Sequence, residues 1–99
     1  MDVLIHEFAG TVGDADGHEY LPRAFGRARK NGTWVGWLEF SPRGTGGLVR
    51  RSPIETTQAS RGALAYWATG LERVYLEGAL ARAITAARPR AASSKERTG

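Results

Sequence analysis

The sequence predicts an α+β fold, a small antiparallel sheet of three to four strands followed by two helices and a basic tail. Three observations carry this. The first half alternates short β-branched and apolar runs with clusters of Gly, Pro, Asn and Asp. From Thr57 onward apolar residues recur at three- and four-residue steps, the period of a helix. Residues 88–99 contain only Ala, Ser, Thr, Gly, Pro and charged residues, too little apolar surface to offset the entropy of ordering. The expected organisation is a single domain over residues 1–87 and a mobile basic tail over residues 88–99.

Val3 to Phe8 reads as the first strand, closed by Gly10 and the turn-forming run Gly13-Asp14-Ala15-Asp16-Gly17. Glu19 to Arg29 and Trp34 to Phe40 flank Asn31-Gly32, which predicts a hairpin with a two-residue type I′ turn. Pro22 lacks a backbone donor, so its strand is expected to start at Arg23 or to have an edge or bulge there. Leu48 to Arg51 reads as a further strand, paired with the one before it. Ala59, Ala63, Leu64, Tyr66, Trp67 and Ala68 form the stripe of a first helix, with Thr56 or Thr57 as N-cap. Gly70 is expected to be its left-handed C′ residue, with Leu71 packing back on Tyr66. Leu76, Leu80, Ala83, Ile84 and Ala87 form the stripe of a second helix that Pro89 cannot continue.

The 99 residues sum to a formal charge of +4. That charge is unevenly spread. Met1 to Glu19 holds five acids and no Lys or Arg; Tyr20 to Arg51 holds seven basic residues against Glu39; Ser52 to Ala87 balances; and the last twelve residues add +3. The high isoelectric point therefore argues less strongly for nucleic-acid affinity than the total implies. Absence of cysteine excludes a disulfide framework, a thiolate zinc site and a cysteine nucleophile. No apolar run is long enough to cross a bilayer, and the acidic start is unlike a signal peptide, so a cytoplasmic protein without membrane contact is expected.

Four constellations are candidates for chemistry. With a two-residue turn, Arg29 faces Trp34, Arg27 faces Gly36, Phe25 faces Leu38 and Arg23 faces Phe40, all on one side of the hairpin, extended by Arg50 or Arg51. Rings set among guanidinium groups can stack bases while the arginines track phosphates. The same apolar residues also read as the face packed by the helices. Second, Arg43-Gly44-Thr45-Gly46-Gly47 with Arg50-Arg51 could cradle an anion, although it lacks the ending and the following helix of a P-loop. Third, Asp14, Asp16, His18 and Glu19 put three acids and an imidazole within six residues and could offer ligands to a divalent cation, but Glu19 stands where an EF-hand needs glycine, and the run also reads as an ordinary polar turn. Fourth, Tyr66 to Leu71 and Val74 to Leu80 form an aromatic-rich helix junction that reads first as core packing; Trp67, Tyr75 and Trp37 are more large side chains than two short helices and a small sheet obviously need, which leaves an oligomer interface as the alternative. No catalytic residue, metal or cofactor is called. A carboxylate pair such as Glu7 with Glu39 on neighbouring strands stays conceivable.

Glu55-Thr56-Thr57-Gln58, Tyr66 to Glu72 and Tyr75 to Leu80 give the chain a resemblance, over roughly Ala24 to Ala83, to a family of short uncharacterised bacterial proteins. The resemblance implies a bacterial source and no activity. The expectation is a small non-enzymatic binding protein, with weak binding of RNA or single-stranded DNA through Arg23, Phe25, Arg27, Arg29, Trp34, Arg50 and Arg51. The alternative is a homo-oligomeric or accessory protein-interaction module with no nucleic-acid role. A hydrolase using Asp14, Asp16 and a metal is a distant third.

Overall fold

The structure, a computed structural model, describes residues 1–87, so the tail expected over residues 88–99 lies outside the described residues. The α+β class holds. Among the described residues, six antiparallel strands precede two helices: β1 (Val3–Glu7), β2 (Val12–Gly13), β3 (Glu19–Ala28), β4 (Trp34–Pro42), β5 (Arg50–Arg51), β6 (Thr56–Gln58), α1 (Arg61–Thr69) and α2 (Arg73–Ala86). The β3–β4 hairpin is the spine. β1 and β2 flank β3 one after the other, and β5 and β6 flank β4 in the same way.

β3 starts at Glu19 and runs straight through Pro22, not from Arg23 as expected. Pro22 is tolerated because it lies beyond β1 and before β2 on that edge, where the Phe8 N–H donates to the Pro22 carbonyl at 3.3 Å. The strand expected over 48–51 is only Arg50–Arg51, and β2 lies inside the stretch read as a loop.

The turn corrects the expected register. Ala28 pairs with Trp34, and Lys30-Asn31-Gly32 form a three-residue loop: the Gly32 N–H donates to the Arg29 carbonyl at 3.0 Å and the Arg29 N–H to the Thr33 carbonyl at 2.7 Å. Only Gly32 takes positive φ, at 89°; Asn31 does not, so the turn is not type I′. Asn31 instead uses its side-chain oxygen to accept from the Thr33 N–H and hydroxyl. A type I turn followed by a left-handed glycine is the usual three-residue hairpin loop, and it shifts the pairing by one residue relative to the two-residue turn. With a side-chain period of two, that shift exchanges partners between faces.

On the helix side lie Tyr20, Pro22, Ala24, Gly26, Leu38 and Phe40, all buried. Tyr20, Ala24, Leu38 and Phe40 join Val12, Ala68, Leu76, Ala79, Leu80 and Ala83 in the core, with Ile5, Phe8, Trp67, Leu71, Tyr75 and Ile84 at its margin. Gly26 and Gly36 pair directly across the hairpin, and Leu64 of α1 fills the space that their side chains would occupy. At Gly36 an added Cβ would stand 2.5 Å from a Leu64 methyl.

The helix ends also differ from expectation. Thr56 and Thr57 belong to β6, and Ser60 is the N-cap of α1, its hydroxyl accepting from the Ala63 N–H at 3.1 Å. Gly70 has φ −89°, so no left-handed ending forms, and Tyr66 points outward, 84% exposed, away from the stripe assigned to it.

Candidate functional site

The side of the sheet opposite the helices is where chemistry-bearing residues collect. Odd-numbered residues of β3 and β4 point there, so Arg23, Phe25 and Arg27 are together as predicted. Trp34, Leu38 and Phe40 are not with them. Trp34 pairs with Ala28 on the helix side, where the Arg61 guanidinium lies 5.8 Å over its ring, and Leu38 and Phe40 are core. Arg29 lies one residue beyond the end of β3, at the base of the hairpin loop, where its N–H donates to the Thr33 carbonyl. Arg50 pairs with Phe40, which directs it to the helix side with its Nε buried and without a hydrogen-bond partner among the described residues. Arg51 pairs with Glu39 and does belong to the open face.

In place of Trp34 the open face has Trp37, which the register of a two-residue turn would have set on the opposite side. Trp37 stacks with Phe25 at 6.4 Å between centroids, and the guanidinium groups of Arg51 and Arg27 lie 4.3 Å and 5.3 Å from its own. Arg23 lies 5.5 Å over Phe25. Trp37 is fully buried although no helix among the described residues covers it, because the stems and flat heads of arginine screen apolar surface while keeping their donors wet. What the face offers outward is guanidinium planes.

The face is also not basic. Register brings four charges into one line across four strands: Glu7 pairs with Arg23, Arg23 with Glu39, and Glu39 with Arg51. The suspected Glu7 and Glu39 pair therefore has Arg23 between its members. Asp2 meets Arg27 at 3.6 Å, both half exposed, so around the aligned row three acids stand against three arginines, and Glu19 at the start of β3 is paired with Arg43. Among the described residues no ion pair within 4.0 Å joins the four aligned charges. Arg23 donates instead to the Ser41 hydroxyl at 3.2 Å, and Glu39 accepts from Trp37 Nε1 at 3.2 Å.

The second and third constellations converge. Both ends of the hairpin spine lie together, so the loop after β4 meets the loop before β3, and the Arg43 N–H donates to the Glu19 carbonyl at 2.9 Å. Between them is a half-open pocket of about 480 Å³ lined by His18, Glu19, Tyr20, Arg43, Thr45 and glycines 17, 46 and 47. Arg43 is paired with Glu19 at 3.1 Å. Asp14, Asp16 and His18 bring ligand-type atoms within 4.8 Å of one another. The Asp14 carboxylate, however, is occupied by its own turn: it accepts from the N–H groups of Asp16 and His18, from His18 Nδ1 and from the Tyr20 hydroxyl. Desolvation raises its carboxyl, and the hydrogen bonds from His18 and Asp16, with the charge of His18, outweigh that and hold it below the usual range.

One cluster escaped the sequence reading. Glu55, its side chain only 5% exposed, accepts from the Tyr75 hydroxyl at 2.6 Å and from Arg82 at 2.7 and 3.1 Å. The loop between β5 and β6 is thereby tied to α2. The available signal was spacing, since Tyr75 and Arg82 are two turns apart on one helix face. Trp67 meets Tyr75 edge to face at 6.2 Å, so these two members of the fourth constellation pack on each other, not outward.

No family model, curated protein or solved structure matches the chain. Among the described residues, no helix is long and apolar enough to cross a membrane.

Proposed function

We propose that this chain is a non-enzymatic protein-interaction module and that its docking surface is the open face of the sheet. The observation that carries the reading is the alternation of Glu7, Arg23, Glu39 and Arg51 in a single cross-strand line. A nucleic acid presents phosphates of one sign, and Asp2, Glu7 and Glu39 repel them wherever Arg23, Arg27 and Arg51 attract. A polypeptide surface carries both signs, and matched charges across an interface set register and exclude wrong partners. Leu4 and Leu21, 43% and 44% exposed, supply apolar contact beside the charges.

The nucleic-acid reading rests on Arg23, Phe25, Arg27 and Arg51, whose planes could still stack bases. One experiment separates the two. A photo-crosslinking amino acid at Leu21, compared with one at Tyr66 on the helix side, is activated in cells making the chain. Crosslinks to protein from position 21 alone support the interaction reading; crosslinks to RNA or DNA from position 21, or silence there, overturn it. Fluorescence polarisation with single-stranded RNA, single-stranded DNA and duplex DNA at two salt concentrations provides the counter-test. Salt-sensitive binding that survives removal of residues 88–99 and is lost in Arg23→Ala/Arg27→Ala overturns it as well.

A further inference from the structure

We infer that the open face docks on a second copy of this chain, about a two-fold axis that lies in the interface and runs along the strands between β3 and β4. The inference rests on the interaction reading above and names its partner. Read across β1, β3, β4 and β5, the aligned charges run negative, positive, negative, positive. That order is antisymmetric about the midpoint between Arg23 and Glu39. Rotation about an axis along the strands lays the row on a copy of itself in reverse, so Glu7 of each copy opposes Arg51 of the other and Arg23 opposes Glu39. All four contacts are attractive. Rotation about an axis across the strands would lay each charge on its own kind. The sign pattern thus selects one isologous arrangement, in which two sheets stack face to face with their strands nearly aligned.

Two further features fit this occupant. The four charges are in register within the chain yet unpaired there among the described residues, so Arg23 and Arg51 keep donors available after lying over Phe25 and Trp37. The neighbouring line is apolar: Leu4 pairs with Phe25 and Phe25 with Trp37. It places an exposed leucine and a half-buried ring beside the charged row, where a second sheet would remove them from water. A small, charge-rich face belongs to the weak class of interface, so association is expected in the micromolar range and to weaken in salt.

The test is sedimentation velocity on the purified full chain from micromolar to several hundred micromolar, at low and high salt. The unsubstituted chain is expected to dimerise. Arg23→Glu and Glu39→Arg each set like charges opposite one another and are expected to weaken self-association at least tenfold. Mixed in equal amounts, the two variants restore every opposite pairing and are expected to form a heterodimer as readily as the parent. Recovery in the mixture requires both variants to be folded; should near-ultraviolet circular dichroism show either unfolded, Glu7→Arg and Arg51→Glu, at exposed positions, repeat the logic. A parent that stays monomeric throughout, singles that dimerise unchanged, or a mixture that stays monomeric overturns the inference. If the parent is monomeric while position 21 crosslinks a different protein, only the second copy is lost; if position 21 is silent, the interaction reading is lost too.

Discussion

Glu55 shows how one side chain ties a loop to a helix. Burial raises the Glu55 carboxyl, but hydrogen bonds and charge from Arg82, with the Tyr75 and Ser52 hydroxyls, outweigh this and hold it below the usual glutamate range. A carboxyl whose folded pKa lies below its unfolded one contributes stability above the unfolded value, and that contribution is lost as pH falls through the folded value. Glu55→Gln is expected to cost about 1–3 kcal/mol at neutral pH, towards the low end because Arg82 is half exposed. Urea denaturation of both proteins at falling pH should show the difference shrinking; a difference that persists into strong acid would mean shape, not charge, is at work. Burial and the adjacent Glu55 carboxylate push the Tyr75 phenol up to about 12, because ionisation would set two negative groups side by side. In an ultraviolet titration a late-ionising tyrosine should be present in the parent and missing from Tyr75→Phe.

Between elements, the decisive contact is α1 on the hairpin. Leu64 enters a notch formed by two glycines that pair across strands, and no larger residue leaves room. Gly36→Ala is expected to destabilise the fold by about 1–3 kcal/mol, the usual cost of overpacking. Adding Leu64→Ala should recover part of that, so the double variant falls short of the sum of the singles in urea denaturation; strict additivity would contradict the notch. Ser60→Ala removes the α1 cap and should cost about 1 kcal/mol by the same measurement. The existence of the hairpin was legible from Asn31-Gly32, but its loop length was not. Type I′ needs positive φ at both residues, whereas the three-residue loop needs it only at Gly32, and the local sequence satisfies either. The choice is made by Tyr20, Ala24, Leu38 and Phe40, which must share one face to form a core with α2. Gly70 was misread because glycine permits a left-handed ending without requiring one.

For the whole molecule, charge order matters more than net charge. Around the aligned row the open face sums to zero although the chain is basic, because Asp2, Glu7 and Glu39 lie among Arg23, Arg27 and Arg51. If that face closes on a second copy, folding and association are linked by mass action. The melting temperature of the parent should then rise with protein concentration, and that of Arg23→Glu should not; equal behaviour in calorimetry would separate the face from assembly.

The fold class, the hairpin, both helices and the presence of Arg23, Phe25 and Arg27 on one side are legible in the order of residues, because apolar period, turn residues and spacing within one strand are local properties. Which rings join those arginines, the alignment of Glu7, Arg23, Glu39 and Arg51 in one line, and the meeting of Glu55 with Tyr75 and Arg82 emerge with the packed fold. Those facts depend on strand register and helix placement. Register is set by which residues must share a core, and with a side-chain period of two, a single residue of difference exchanges Trp34 for Trp37.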